Sequence, residues 1–553
     1  MSIPVICTTL LIEKSPQALP LGAACVASAV KHCDELQELC EVSLKAFCLE
    51  DKDFPKDKKL AANYIAEKLL EKVDGTTKAI FCFSCFVWNI KILASAAKIL
   101  KEKGHVCIAG GPEITAHPAF YKDFDYTVSG EGEVSVPALI AKIIKKGTNA
   151  SEKSDNVIIS QSPDLAVIHS PYLDGIIDPA EYEGALWELA RGCPFKCAYC
   201  YESKGEKSVR LFPMDRIKAE LELFAKKKVP QVFVLDPTYN VNKKRAVELL
   251  RLIAQKTPDT FYYFEARAEL MDRELAREFT RIPCALQIGL QSANEQTLKL
   301  VNRPFDRKKF CKGLSILNEE GVTFGLDLIY GLPGENFGSF RDGIDFAISQ
   351  YPNNLEIFCL SVLPGTDLFD RAESLGLIWE KEPPYHVLKT KEFTPDDKKR
   401  AEKLSKACSY FYNAGRAVPW FNSVCRVLKL KPAKLFELFY EKYSDVCDKS
   451  CAKGCCEPHE EIQKIQLEFL QSEFKSKNLM RYYPATEDIV KFYGAISRTT
   501  DTGKSENVTL NYDAEYVASD YASDIRYFTE NLRPKKNRIQ TFKNRGEVDF
   551  RNV

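Results

Sequence analysis

From its first residues to about residue 380, the chain alternates short apolar runs with longer stretches whose apolar residues recur at helical spacing. This alternation constrains the fold more than any other feature. Strands joined by helix-length crossovers pair in parallel, and parallel sheets are covered by helices on both faces. Over residues 1–147 the expected strands are Val5–Ile12, Glu41–Leu49, Lys78–Ser84, His105–Ala109 and Tyr126–Ser129, with helices at Leu21–Lys31, Asp57–Val73 and Asn89–Lys103. The expectation is an α/β fold with an N-terminal doubly wound parallel sheet. From 185 to 380 the expected strands are Ala185–Ala190, Gln231–Leu235, Phe261–Ala266, Ala285–Leu290, Thr323–Ile329 and Leu355–Val362. Helices at Met214–Lys228, Asn242–Gln255, Asp306–Glu320 and Asn336–Gln350 follow most of them. That is fewer βα units than a closed barrel needs, so a partial β/α barrel is expected, with its chemistry at the carboxyl ends of the strands.

Residues 148–184 read as a linker rich in turn formers. Residues 381–553 read as a mainly helical cap with a basic tail, from helical spacing at Asp396–Asn413, Ala433–Tyr443 and Glu460–Phe474. A strand is expected at Asn507–Tyr512, before the basic residues Arg533, Lys535, Lys536, Arg538, Lys543 and Arg545. Lys+Arg and Asp+Glu are each 77, so net charge predicts neither a nucleic-acid nor a membrane partner. No apolar run reaches membrane-spanning length. The start, Ile3–Ile12, has no basic residue before it and reads as a strand, not a signal peptide. Twenty cysteines without a secretion signal predict a reducing cytoplasm, where thiols serve as ligands or core fillers.

Three of those cysteines lie in Arg191-Gly192-Cys193-Pro194-Phe195-Lys196-Cys197-Ala198-Tyr199-Cys200, just after the first strand of the second set. A structural zinc site wants four ligands, and no fourth Cys or His lies close by. A four-iron cluster held by three thiolates keeps one iron open. With an aromatic residue directly before the last cysteine, the loop resembles that of the radical S-adenosylmethionine superfamily. The resemblance implies Cys193, Cys197 and Cys200 as ligands of a [4Fe–4S] cluster, with Tyr199 beside the cosubstrate. The open iron would chelate S-adenosylmethionine, and electron transfer would cleave its sulfonium to a 5′-deoxyadenosyl radical. The same resemblance gives roles to the other strand ends. Asp236 would meet the cosubstrate's amino group, unless it caps the next helix. Arg267 would pair with the carboxylate, unless it forms a structural salt bridge. Gln291 would bond the ribose or carboxylate. Gly331 and Pro333, in Gly-Leu-Pro-Gly-Glu, would support adenine.

The N-terminal sheet carries Ser84-Cys85-Phe86-Val87-Trp88-Asn89, Gly110-Gly111-Pro112 and Gly130-Glu131-Gly132-Glu133 at its strand ends. No Gly-x-Gly-x-x-Gly or Walker motif is present, which disfavours a nucleotide site. These loops resemble the Rossmann-like cobalamin-binding domain of the cobalamin-dependent radical S-adenosylmethionine class, in one uncharacterised branch of it. The resemblance implies Ser84, Gly110, Gly111, Gly130 and Gly132 as cobalamin-binding. The Asp-x-His-x-x-Gly motif is absent, and His32 and His105 stand alone. Two readings remain: cobalamin bound without a protein histidine, or a domain that keeps the fold without the cofactor.

The resemblance implies an enzyme that cleaves S-adenosylmethionine reductively and abstracts hydrogen from an unidentified substrate. With cobalamin it would transfer a methyl group; without it, a rearrangement, oxidation or ring closure is equally open. The electron donor would be of flavodoxin or ferredoxin type. Two rivals stand: a tRNA methylthiotransferase-like enzyme, whose second cysteine set Cys82, Cys85 and Cys107 do not plainly match, and a non-catalytic iron–sulfur redox or electron-transfer protein. Cys447, Cys451, Cys455 and Cys456, with His459 beyond, form a second thiol cluster, read as a metal centre, buried thiols or a labile disulfide. Phe436, Phe439 and Tyr440 read as pocket lining or core.

Overall fold

Strand β1 (Ile3–Leu11) is apolar along almost its whole length and buried along most of it, as a central parallel strand must be. In the computed structural model, which describes residues 2–73, 78–146, 156–203, 208–453, 457–544 and 546–553, it pairs in parallel with β2 (Cys40–Cys48) and β3 (Ile80–Ser84). β4 (Val106–Gly110), β5 (Tyr126–Ser129) and β6 (Val157–Ile159) complete a parallel sheet of order β2-β1-β3-β4-β5-β6. Side chains alternate across it. Phe81 and Phe83 enter one core with Ile65, Leu69 and Leu93, while Ile80 and Cys82 enter the other with Ala27, Val30 and Ile140. The helices Lys58–Leu70 and Ile90–Glu102 thus cover one face, and Leu21–Lys31 and Gly132–Lys146 the other. Strand order reverses between β1 and β3, the crevice where doubly wound sheets take ligands.

A second parallel sheet is built from β7 (Ala185–Trp187), β10 (Gln231–Val234), β11 (Phe261–Ala266), β12 (Cys284–Gln291), β13 (Phe324–Tyr330) and β14 (Asn354–Cys359). Between β7 and β10, β8 (Ala190–Arg191) and β9 (Arg210–Leu211) make a short antiparallel pair. The expected continuous strand Ala185–Ala190 therefore does not exist. The Asp236 carboxylate accepts the Leu189 and Ala190 amides, each at 2.9 Å, so these donors leave the ladder and the chain turns. Leu21–Lys31, Tyr126–Ser129 and Phe261–Ala266 fall where their periodicity put them.

The chain divides into two compact units: residues 1–285 with 361–374 and 379–386, and residues 286–360 with 375–378 and 387–553. The second unit is mainly helical past residue 394. Its helix Pro395–Cys408 opens with a capping box, Thr394 and Asp397 bonding each other's backbone amides, and passes into a π-helical turn, Ser409–Ala414. The helix Pro432–Lys453 bends at Tyr443, and His459–Ser476 follows. The helix Tyr483–Thr502 has no counterpart in the expectations from sequence. Its Pro484 lies in the first turn, where proline removes only a donor that has no partner anyway. The basic tail is a packed antiparallel sheet: Glu506–Leu510 pairs with Asn537–Asn544, which pairs with Glu547–Asn552. Arg538 is exposed on it while Ile539 and Thr541 are buried; Arg545 lies outside the described residues. Among the described residues no helix is long and apolar enough to cross a membrane.

Phe436 and Phe439 are fully buried in an aromatic core, with ring centroids 5.0 Å apart for Phe421–Phe436 and 4.7 Å apart for Phe411–Phe439. Phe439→Ala is expected to destabilise this unit by about 3–5 kcal/mol, the range for a large buried aromatic. Chemical denaturation followed by tryptophan fluorescence measures it; unchanged stability would return Phe439 to a pocket wall.

Candidate metal centre and cofactor site

The cysteine loop begins at Gly192, whose φ of +91° suits glycine. A turn from the Cys200 amide to the Cys197 carbonyl (3.0 Å) and a bond from the Leu368 amide to the Ala198 carbonyl (2.7 Å) shape it. Cys193, Cys197 and Cys200 take part in no disulfide. Cys197 is buried, and Cys193 and Cys200 are half-buried. Cys193 Sγ lies 3.8 Å from Thr238 Oγ1, in the loop after β10. Burial pushes the Cys200 thiol up to about 11, and the nearness of Cys197 and Cys193 adds to this. A cationic centre beside Cys200 would stabilise its thiolate against that burial. Among the described residues, the group whose donors gather tightly enough for one ion, within 4.8 Å, lies elsewhere, at His32, His169 and Asp174. The thiols thus suit a larger inorganic centre better than a single zinc ion, whose sulfur ligands lie about 2.3 Å from it.

The neighbouring strand ends build the loop's floor. Asp236, 8% exposed, is pushed up to about 7 by burial, against the lowering pull of the Leu189 and Ala190 amides. It is no cap for the following helix; Asn242 fills that role at 3.2 Å from the Arg245 amide. Arg267 is buried, pairs with Glu269 at 3.0 Å, and stacks over Phe195 of the cysteine loop at 4.0 Å. A cosubstrate carboxylate there would share the guanidinium with Glu269. Its main chain exchanges two bonds with the Asn240 side chain, at 3.0 and 2.9 Å. Tyr199 is half-buried within the loop. A cavity of about 100 Å³ opens beside Gly192 and Pro194, walled by Asp236, Thr238 and Arg245.

The N-terminal loops lie in the same unit. Ser84 ends β3 beside Gly110 of β4. Its carbonyl accepts the Thr9 hydroxyl at 2.8 Å, and the buried Asn89 side chain bridges to Thr9 Oγ1 and the Leu10 carbonyl across the β1–β3 crevice. Gly111 has φ +99°, and a Cβ there would fall 2.6 Å from the Cys85 carbonyl oxygen. Gly130 has φ +100°, and Gly132 opens the helix that follows. The glutamates between these glycines have a role their sequence pattern does not signal. Arg191, the residue before Gly192, reaches Glu131 at 2.6 Å, Glu133 at 2.8 Å and Glu188 at 2.9 Å. Arg210 also pairs with Glu131 and donates to the Pro163 carbonyl at 2.8 Å. The partners stand about sixty residues apart, beyond any motif's reach.

Gln291, Gly331 and Pro333 belong to the second unit. Gln291 sits at a bulge ending β12, with φ +69°. Gly331, with φ +83°, follows β13, and a Cβ there would meet Val387 Cγ1 at 2.6 Å. In this unit Ser292 Oγ donates to Glu335 Oε1 at 2.7 Å. Glu335 is 1% exposed, and its Oε2 has no hydrogen-bond partner.

Two expectations change. Cys447 is buried, while Cys455, Cys456 and the side chain of Cys451 lie outside the described residues. His459 is no spare ligand for them: its Nδ1 meets Arg498 at 2.9 Å and its Nε2 the Gly415 carbonyl at 3.3 Å. His105 is structural, its Nδ1 accepting the Ala79 amide at 3.2 Å, but His32 does not stand alone, since it bonds Asp174 and stacks on His169.

Residues 187–347 match the radical SAM superfamily. The chain is 27% identical over 387 residues to the cobalamin-dependent radical SAM methyltransferase TokK of Streptomyces tokunonensis, covering 62% of this chain and 56% of that protein. It thus spans little more than half of that relative's length. It also resembles the radical S-adenosylmethionine methyltransferase TsrM from Kitasatospora setae, solved with cobalamin and a [4Fe–4S] cluster, with a TM-score of 0.55 and 16% identity over 72% of this chain and 85% of that one. The cobalamin-dependent S-adenosylmethionine radical enzyme OxsB, solved with aqua-cobalamin and S-adenosylmethionine, gives a TM-score of 0.54 and 13% identity over 87% and 80%. At these identities the structural likeness is one of fold. Residues 187–347 thus match a radical S-adenosylmethionine domain, and the chain shares its fold with solved cobalamin-dependent enzymes of that kind.

Proposed function

We propose that this protein is a cobalamin-dependent radical S-adenosylmethionine enzyme, a methyltransferase acting on a substrate still to be identified. One observation carries the reading: three partly desolvated cysteines outside any disulfide, in a loop at a strand's carboxyl end, with Arg191 at the loop's base ion-paired to the glycine–glutamate loop of the N-terminal sheet. Cys193, Cys197 and Cys200 would hold a [4Fe–4S] cluster, which supplies the electron that cleaves the cosubstrate's sulfonium. Corrin chemistry, supplied by cobalamin when bound, would carry the methyl group.

The chain's own residues position these groups. Asp236 holds the entry to the cysteine loop through two backbone amides. Gly111 and Gly130 leave the N-terminal strand ends without side chains, so a broad flat ligand meets bare backbone there. Arg191 ties that surface to the loop, so the spacing between the two is built into the fold. Glu335, pushed up to about 8 by burial against the pull of the Ser292 hydroxyl and the Gly331 amide, is neutral at pH 7 and offers an acid proton from its unpartnered oxygen. It would brace the Gly331–Pro333 turn proposed to support adenine. A one-electron donor of flavodoxin or ferredoxin type completes the proposal.

Both rival readings are weaker. A methylthiotransferase needs a second cysteine set in the N-terminal domain, but Cys85 and Cys107 lie in one core of the sheet and Cys82 in the other, so they cannot converge. A simple redox protein has no use for the glycine-lined strand ends.

Replacing Cys193, Cys197 and Cys200 together by alanine is expected to cut bound iron at least tenfold and abolish 5′-deoxyadenosine release under dithionite. A wild-type protein with a reducible cluster that leaves S-adenosylmethionine intact would support the redox reading instead. Wild-type protein should retain corrin absorbance after hydroxocobalamin loading and desalting, and Gly111→Val should lose most of it with folding checked by circular dichroism. Absence of corrin from the wild type would end the methyl-transfer reading. Glu335 titrates higher folded than unfolded, so the stability it adds is complete below about pH 4.5 and lost as pH rises towards about 8. Glu335→Gln should flatten this decline, about 1.4 kcal/mol per pH unit at most, in denaturation curves measured across that range.

A further inference from the structure

Three side chains from two distant stretches of the sequence meet at the carboxyl end of the helix Leu21–Lys31. His32 Nε2 lies 2.9 Å from Asp174 Oδ1, and the His32 and His169 rings stack with centroids 3.7 Å apart and planes within 4°. The donor atoms of His32, His169 and Asp174 lie within 4.8 Å of one another. We propose that these three residues bind a single divalent ion of the zinc class, separate from the cysteine loop.

The spacing accommodates an ion in place of the hydrogen bond. Two donors about 2.1 Å from one ion stand roughly 3 Å apart at a right angle, close to the His32–Asp174 separation. The stacked imidazoles lie in parallel planes, so ligation by both needs the exposed His169 ring to turn its in-plane lone pair towards the ion. Asp174 is held in place from behind: the fully buried Ser28 hydroxyl donates to Oδ2. Such outer contacts orient ligands in metal sites. His32 follows the last turn of an eleven-residue helix, whose negative end favours a cation.

The donor set selects the ion. Two imidazoles and one carboxylate suit zinc, nickel or cobalt and leave a position for water, whereas magnesium and calcium prefer oxygen alone. His169 is exposed, which gives the ion a way in. Two cations oppose binding: Lys31, whose Nζ donates to the Asp174 carbonyl at 2.9 Å, and Arg216, whose guanidinium donates to the Ile168 carbonyl at 2.8 Å. Neither touches the Asp174 carboxylate in these contacts. A bound ion would staple the segment that leads into β7 onto the first helix of the N-terminal sheet.

Calorimetric titration of the full chain with zinc chloride tests this, alongside His169→Ala and His32→Gln. Wild type should show one equivalent that each variant weakens at least tenfold. Cobalt substitution separates this site from the cysteines, since its visible spectrum should lack sulfur-to-cobalt charge transfer. Equal zinc stoichiometry and affinity in wild type and both variants would overturn the proposal. So would a cobalt spectrum in which the equivalent lost from the variants carries thiolate bands. Binding by His32→Gln alone at wild-type affinity would likewise remove His32 from the ligand set.

Discussion

One buried carboxylate decides how the cysteine loop exists at all. Asp236 accepts two successive backbone amides, Leu189 and Ala190, and so β7 ends at Trp187, four residues before the loop's arginine. Without that acceptor, two buried donors would need other partners, at a cost of about 1–3 kcal/mol each. With it, the chain leaves the ladder, makes its short antiparallel pair with β9, and delivers three thiols at the strand's carboxyl end. The carboxylate's own burial shows in its titration near 7. The same residue reads in sequence as a cosubstrate contact or a helix cap, and the structure gives it a third task.

The second organising contact is ionic. Arg191 serves three carboxylates, two of them on the glycine–glutamate loop of the N-terminal sheet. A largely buried arginine with several partners pays heavily in desolvation and recovers it only through good geometry, so such a cluster is a poor source of stability. Its value is positional. It fixes one loop against another, each of which is otherwise free to adjust, and removal of the arginine would strand buried negative charge.

Much of this was legible in the chain. Alternating apolar runs and helical periods specify parallel sheets because each strand must be buried on both faces, and the edges of β5 and β11 follow from their flanking turn residues. The cysteine spacing specifies a compact inorganic site for the same local reason: three thiols in one loop cannot avoid each other. The positive φ of Gly111 and of Gly130 is a property of one residue and its immediate turn, which a glycine at a strand end signals locally. The helix Tyr483–Thr502 had no expected counterpart, and the basic tail declared its charge but not the sheet that holds it.

What the sequence alone determined, then, is local: the period of each element, the thiol loop, and the turns that only glycine can make. The tertiary structure decided every pairing between residues distant in the chain. It assigned Asp236 to the Leu189 and Ala190 amides, Arg191 to Glu131 and Glu133, Phe439 to an aromatic core, and His32 to Asp174 and His169. Those partners are chosen by strand order and helix placement, and a single sequence carries no separate signal for a contact whose two halves lie tens of residues apart.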